Sequence, residues 1–137
     1  MALVAAYRVD DVYHAGHMSI YAVQIDSEHA KVFAFNEGEV THHAYRRHEP
    51  QHHTGHTQDQ EKKSEHFYHQ VAEHLKGATH LLLMGAGLGK DHFKTHLDSH
   101  HHELAGLVVA VDTVDHPTDG QLVAHAREVF LKHHITV

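Results

Sequence analysis

The chain has 137 residues, 41% of them apolar, and no cysteine; one domain is expected, burying roughly two thirds of its unfolded surface without disulfides, thiolate metal sites or a thiol nucleophile. Histidine is the outlier, with 22 against 11 Lys and Arg and 18 Asp and Glu, so the formal net charge of -7 with neutral imidazoles becomes about -2 at pH 7 and about +10 at pH 6 if each titrates near 6.5. No apolar stretch approaches the roughly 18 residues of a membrane span, and residues 1–7 lack the basic start and cleavage region of a signal peptide, so a cytoplasmic protein with no membrane partner and no DNA specificity is expected.

Residues 1–18 read as an N-terminal extension. Residues 3–9 offer an edge strand, 10–17 show no clear pattern, and Met18 is an alternative start. Residues 19–26 alternate loosely through Ile20, Ala22 and Ile25, and 30–35 alternate through Val32, Phe33 and Phe35. Both predict strands. A polar turn over 26–29 separates them, and the tighter turn Asn36-Glu37-Gly38 leads into a third strand over 39–46, giving three antiparallel strands joined by hairpins. Residues 48–58 hold Pro50, Gly55 and many histidines, and the polar stretch 41–58 as a whole is expected to form an exposed loop.

Thr57 with Gln60 supplies a cap for a helix whose inner face is Phe67, Val71, Ala72 and Leu75 and whose stop is Gly77. Leu81, Leu82, Leu83 and Met84 form a short buried strand, closed by Gly85-Ala86-Gly87-Leu88-Gly89 before a helix over 91–101 with Phe93 and Leu97 inward. Residues 107–111 repeat the apolar run, 112–117 turn, and Thr118-Asp119-Gly120-Gln121 is a capping box for a last helix with Leu122, Ala126, Val129 and Phe130 on one side. The order of three strands, helix, strand, helix, strand, helix predicts a single α/β domain over 19–137. It has a five-stranded mixed sheet, three antiparallel strands and then two parallel ones, with three helices on its faces. That is the ribonuclease-H-like topology.

Three stretches carry a family resemblance: residues 25–33 at the first hairpin, His66-Phe67-Tyr68-His69-Gln70-Val71-Ala72 in the first helix, and residues 111–123 at the last turn. Over about 19–130 the chain resembles the middle domain of archaeal and eukaryotic peptide-chain release factors and of Pelota, and more closely the short bacterial stand-alone versions described as translational machinery proteins. The resemblance implies a release-factor middle-domain fold and a place in or near translation. It departs from the family at one point that matters. Where a release factor carries Gly-Gly-Gln entering its first helix, this chain has His52-His53-Thr54-Gly55-His56-Thr57-Gln58, and Gly-Gly-Gln occurs nowhere. Peptidyl-tRNA hydrolysis is therefore not expected.

Histidines 42, 43, 48, 52, 53 and 56 fall within fifteen residues, and His66 and His69 follow. Neutral imidazole suits zinc or another divalent transition metal, so His48, His52, His53, His56, His66 and His69 are candidate ligands, against the plainer reading of a solvated polar loop. The same region is basic once its histidines are protonated, which suits the ribosome or ribosomal RNA. Arg46, Arg47, His48, His52, His53, His56, Lys62 and Lys63 are the candidate contacts. Gly85-Ala86-Gly87-Leu88-Gly89-Lys90 fails both the Walker A and the dinucleotide templates; it reads as a strand-to-helix turn whose Gly87, Gly89 and Lys90 offer an anion site at a helix start.

His92, His96 and His100, four apart, read as an outer stripe opposite Phe93 and Leu97, with a surface metal pair at His92 and His96 as its functional reading. Carboxylates at Asp26, Asp112, Asp115 and Asp119 raise the question of nuclease chemistry, but Asp26 sits in a hairpin rather than inside the first strand. The expectation is a noncatalytic protein that binds the ribosome or another translation component through its histidine-rich loop. The alternative is a histidine-loop metal-binding protein or a metal-dependent hydrolase or nuclease. A homodimer through a sheet edge is compatible with the pattern and not required by it.

Overall fold

The computed structural model describes residues 18–47 and 57–137, with 57–63 by backbone only. The elements are β1 (Ile20–Ile25), β2 (His29–Asn36), β3 (Glu39–Arg46), α1 (Thr57–His74), β4 (His80–Gly85), α2 (Gly89–His100), α3 (His102–Ala105), β5 (Val108–Thr113) and α4 (Asp119–Lys132). They form one five-stranded sheet in the order β3-β2-β1-β4-β5. β1, β2 and β3 pair antiparallel, whereas β4 joins β1 and β5 joins β4 in parallel. The expected mixed sheet is present in the expected order. Of the expected loop over 41–58, residues 41–46 belong to β3, paired residue by residue with β2, and 57–58 open α1. The single-turn α3 is the one helical element among the described residues that the sequence pattern did not indicate.

Alternation along the strands sorts the apolar side chains into two layers. Val23, Ile25, Ala30, Val32, Leu81 and Leu83 point to one face, where Phe67, Tyr68, Val71, Ala72 and Leu75 of α1, Phe93 and Leu97 of α2 and Leu104 of α3 cover them. Ile20, Ala22, Phe33, Phe35, Leu82 and Met84 point to the other, under Leu122, Ala126, Val129 and Phe130 of α4 and Ile135 beyond it. Fully burying a side chain of this size contributes about 1.5–3 kcal/mol, so the central strands β1 and β4, lined on both sides, anchor the fold. Leu81 pairs with Val108 but Leu82 with Ala110. This irregularity is a bulge that sets Val109 and Ala110 on the α4 side together.

Local chemistry fixes the turns. The Asp26 carboxylate accepts hydrogen bonds from the backbone N–H groups of Glu28 (2.8 Å) and His29 (2.7 Å), closing the first hairpin. The second places both Glu37 (φ 51°) and Gly38 (φ 88°) in the left-handed region, the torsions a two-residue hairpin turn requires. Thr118 and Gln121 form the expected capping box: the Thr118 hydroxyl accepts from the Gln121 N–H at 3.2 Å and the Gln121 side chain from the Thr118 N–H at 2.9 Å.

The glycine run between β4 and α2 is a matter of space. A methyl group on Gly85 would stand 2.5 Å from the Ile25 carbonyl oxygen, and one on Gly89 would stand 2.6 Å from the Asp26 Cα. The start of α2 therefore lies directly against the end of β1. This places α2 beside α1, and the C-terminal end of α2 frames a cleft with the middle of α1.

Candidate functional site

The histidines most open to interpretation lie at the outer seam of the α1–α2 layer. Inward-facing Phe67 and Tyr68 on α1 leave the next residue, His69, at the helix rim, where it is exposed. On α2, His96 follows Phe93 by three positions and is only 9% exposed. His101 leaves helical backbone between α2 and α3 (φ -140°, ψ 67°), its N–H bonded to the Leu97 carbonyl, and is also 9% exposed. These three side chains converge. His69 Nδ1 and His101 Nε2 are 3.3 Å apart, and one ring nitrogen from each of His69, His96 and His101 lies within 4.8 Å of the others. With Glu65, His66 and His100 they line an open cleft of about 470 Å³.

This overturns the outer-stripe reading of His92, His96 and His100. Positions four apart advance by about 40° on a helix of 3.6 residues per turn, so His92 and His96 do not share one outer line. His92 is exposed, whereas His96 is buried against the Tyr68 ring at a centroid distance of 5.6 Å. His96 instead groups with His69 and His101.

The electrostatics follow from burial and crowding. Burial first, and then the neighbouring His100, His101 and His69, push His96 down to about 4. Burial, followed by His69 and His100, lowers His101, opposed by the Glu73 carboxylate. Both rings are thus neutral at pH 7, and neutral imidazole is the form that ligates metals. His96 Nε2 is buried without a hydrogen-bond partner, an arrangement that costs on the order of 1–3 kcal/mol. His69 turns its other nitrogen, Nε2, toward the Glu73 carboxylate at 3.6 Å. The Lys76 hydrogen bond, at 2.9 Å, holds Glu73 below the usual carboxylate range.

The remaining candidates separate into distinct places. Of the proposed metal ligands, His69 joins this trio and His66 lines its cleft, while His48, His52, His53 and His56 lie outside the described residues. Of the proposed RNA contacts, Arg46 is exposed at the end of β3. Arg47 is half-buried, with a guanidinium N–H 3.5 Å from the Ser27 carbonyl and Nε without a partner. Lys62 and Lys63 belong to α1, their side chains outside what is described. The Thr57–Gln60 cap also lies outside it.

Lys90 is 6% exposed and its ammonium donates to the Gly87 carbonyl at 2.6 Å. The turn thus satisfies its own cation, with the Asp91 carboxylate 3.4 Å away as well. The carboxylates are dispersed: Asp26 closes its hairpin, Asp112 bonds His125 at 2.9 Å, and Asp119 pairs with Lys31 at 2.6 Å. Asp115 stands exposed beside His116. They do not assemble a magnesium site; the one grouping of three or more potential ligands among the described residues is His69, His96 and His101.

A second aromatic–imidazole group lies at the C-terminal end of α1. The Tyr45 hydroxyl bonds His74 Nδ1 at 2.5 Å, and His43 and Tyr21 pack around it with ring centroids 5.7 and 5.9 Å from His74. Burial first and His43 second lower the His74 pKa.

No helix among the described residues is long and apolar enough to cross a membrane. No protein-family model and no curated protein matches the chain. Solved structures do. Pelota of Archaeoglobus fulgidus superposes with a TM-score of 0.59 at 18% identity, over 90% of this chain and 35% of that one. An archaeal translation termination factor, aRF1, gives 0.55 at 13% over 92% and 43%. Dom34 of S. cerevisiae, described as a translation termination-like factor involved in RNA quality control pathways and interacting with Hbs1, gives 0.51 at 10% over 94% and 46%. The chain thus spans less than half the length of each. At these identities the likeness is one of architecture, and the sheet order, its two parallel additions and its helices on both faces are those of the release-factor middle-domain fold.

Proposed function

We propose that the protein is a noncatalytic, cytoplasmic translation-associated module that docks on the ribosome or another translation component. The observation that carries this reading is the fold itself, which matches translation termination-like factors over nearly the whole chain. The sequence supplies no Gly-Gly-Gln, so the reading is one of binding and not of ester hydrolysis. The contact surface assigned to it is the outer end of β3, where exposed Arg46 leads into the histidine-rich segment and on to Lys62 and Lys63. Phosphate would be met there by two fixed kinds of cation and by imidazoles whose charge grows as pH falls.

Cosedimentation with ribosomes from lysate tests the reading, run at increasing salt and at pH 7 and 6. Binding that weakens with salt, strengthens at the lower pH and declines in Arg46→Glu supports it. Protein that stays wholly in the supernatant at low salt refutes it.

A further inference from the structure

The trio at the α1–α2 seam carries an inference that goes beyond the translation reading and does not rest on it. We propose that His69, His96 and His101 form a binding site for a divalent transition ion of the zinc class, open on its cleft side.

The geometry is the first argument. An ion held tetrahedrally at roughly 2.0–2.1 Å from imidazole nitrogens sets those nitrogens about 3.4 Å apart, and His69 Nδ1 and His101 Nε2 are 3.3 Å apart without an ion. The third nitrogen completes a group no wider than 4.8 Å. His69, whose side chain is 55% exposed, has room to adjust toward an ion. The second argument is His96 Nε2, a buried polar atom with no partner on a residue that is 9% exposed. That ring stands with two other imidazoles, and an ion held among the three would give it a partner.

The third argument is the surroundings. The Glu73 carboxylate at His69 Nε2 favours the orientation that turns Nδ1 into the cleft, the role carboxylates take behind metal-bound histidine. Three imidazoles without thiolate select zinc, cobalt, nickel or copper over magnesium or calcium. The fourth position faces the cleft lined by Glu65, His66 and His100, where a carboxylate, a further imidazole or water completes the sphere.

The test uses the full, untagged chain purified without a nickel column and stripped with chelator. Co²⁺ is titrated in and followed by its visible d–d absorption; Zn²⁺ is measured by competition with a chromogenic chelator. One tight equivalent with the intense band of a four-coordinate ion is expected. It persists when His52, His53 and His56 are all replaced by alanine, and it weakens by roughly 100-fold or more in His69→Gln and in His96→Phe. Zn²⁺ raises the melting temperature of the wild type and of the triple variant, but not of His69→Gln. Wild-type affinity in His69→Gln, loss of the tight equivalent in the triple variant, or no tight equivalent in the wild type overturns the proposal. Should His96→Phe fail to fold, His69→Gln, altered at an exposed rim position, decides alone.

Discussion

Gly89→Ala sets a local rule against a tertiary one. At the first residue of α2, with φ outside the left-handed region, alanine gains up to about 1 kcal/mol over glycine on helix propensity. The added methyl group, however, would stand 2.6 Å from the Cα and 2.7 Å from the carbonyl carbon of Asp26. Both atoms are backbone, and Asp26 is fixed by the hydrogen bonds to its carboxylate that close the hairpin, so no rotamer change relieves the overlap. Overpacking of this kind costs roughly 1–3 kcal/mol, and the net expectation is a loss of about 1–2 kcal/mol. For a chain of this size that corresponds to a fall in Tm of about 4–8 °C. Gly87→Ala is the internal control. It lies in the same turn with nothing within 4 Å of the added atom, and a change below about 0.5 kcal/mol is expected. Thermal and urea denaturation of the two variants beside the wild type decide the matter. If Gly89→Ala proves as stable as the wild type or more so, the close seating of α2 on β1 is wrong.

Thr118→Ala removes one half of the capping box and should cost about 1 kcal/mol, with Thr118→Ser restoring most of it, as read by urea denaturation; equal stability of all three proteins would mean that the helix start is held by something else. His74 gives a pH signature. Its lowered folded-state pKa means that the unfolded chain takes up the proton first, so stability is unaffected well above the ordinary histidine value and falls as pH drops below it. His74→Phe keeps an aromatic ring against Tyr21, His43 and Tyr45 but cannot titrate. Denaturation at pH 7.5 and pH 5 should therefore show a smaller acid loss for the variant; an equal loss in both proteins removes His74 from the explanation.

The fold was legible because each boundary is written in short-range chemistry. Alternation in 30–35, the left-handed pair Glu37-Gly38, the stop at Gly77 and the Thr118–Gln121 box all act within a few residues. The layering of Leu81 and Leu83 against Leu82 and Met84 follows from a period of two. The bulge between Leu81 and Leu82 and the single turn α3 left no such mark, since both answer to how β5 must fit an existing sheet. The cleft was half legible. His66 and His69 drew notice by composition, but composition cannot say that α1 and α2 pack so as to bring His69 to His101. His96 was misplaced for a nearer reason: with Phe93 three residues before it and Leu97 one after, it sits on the flank of the buried arc, and treating positions 92, 96 and 100 as one line ignores the turn of the helix. Counting the 100° steps from Phe93 would have found it.

The joint at residue 89 has a mechanical corollary. From Gly89 to His100, α2 is a rod of about 17 Å, its near end seated on the hairpin backbone with no side chain as padding, its far end bearing His96 and leading into His101. A seat without slack ties the position of the imidazole cleft to that of the hairpin. The distance from Asp26 to the three rings is therefore set by the length of one helix, with no compliant side chain at its seat to absorb a change.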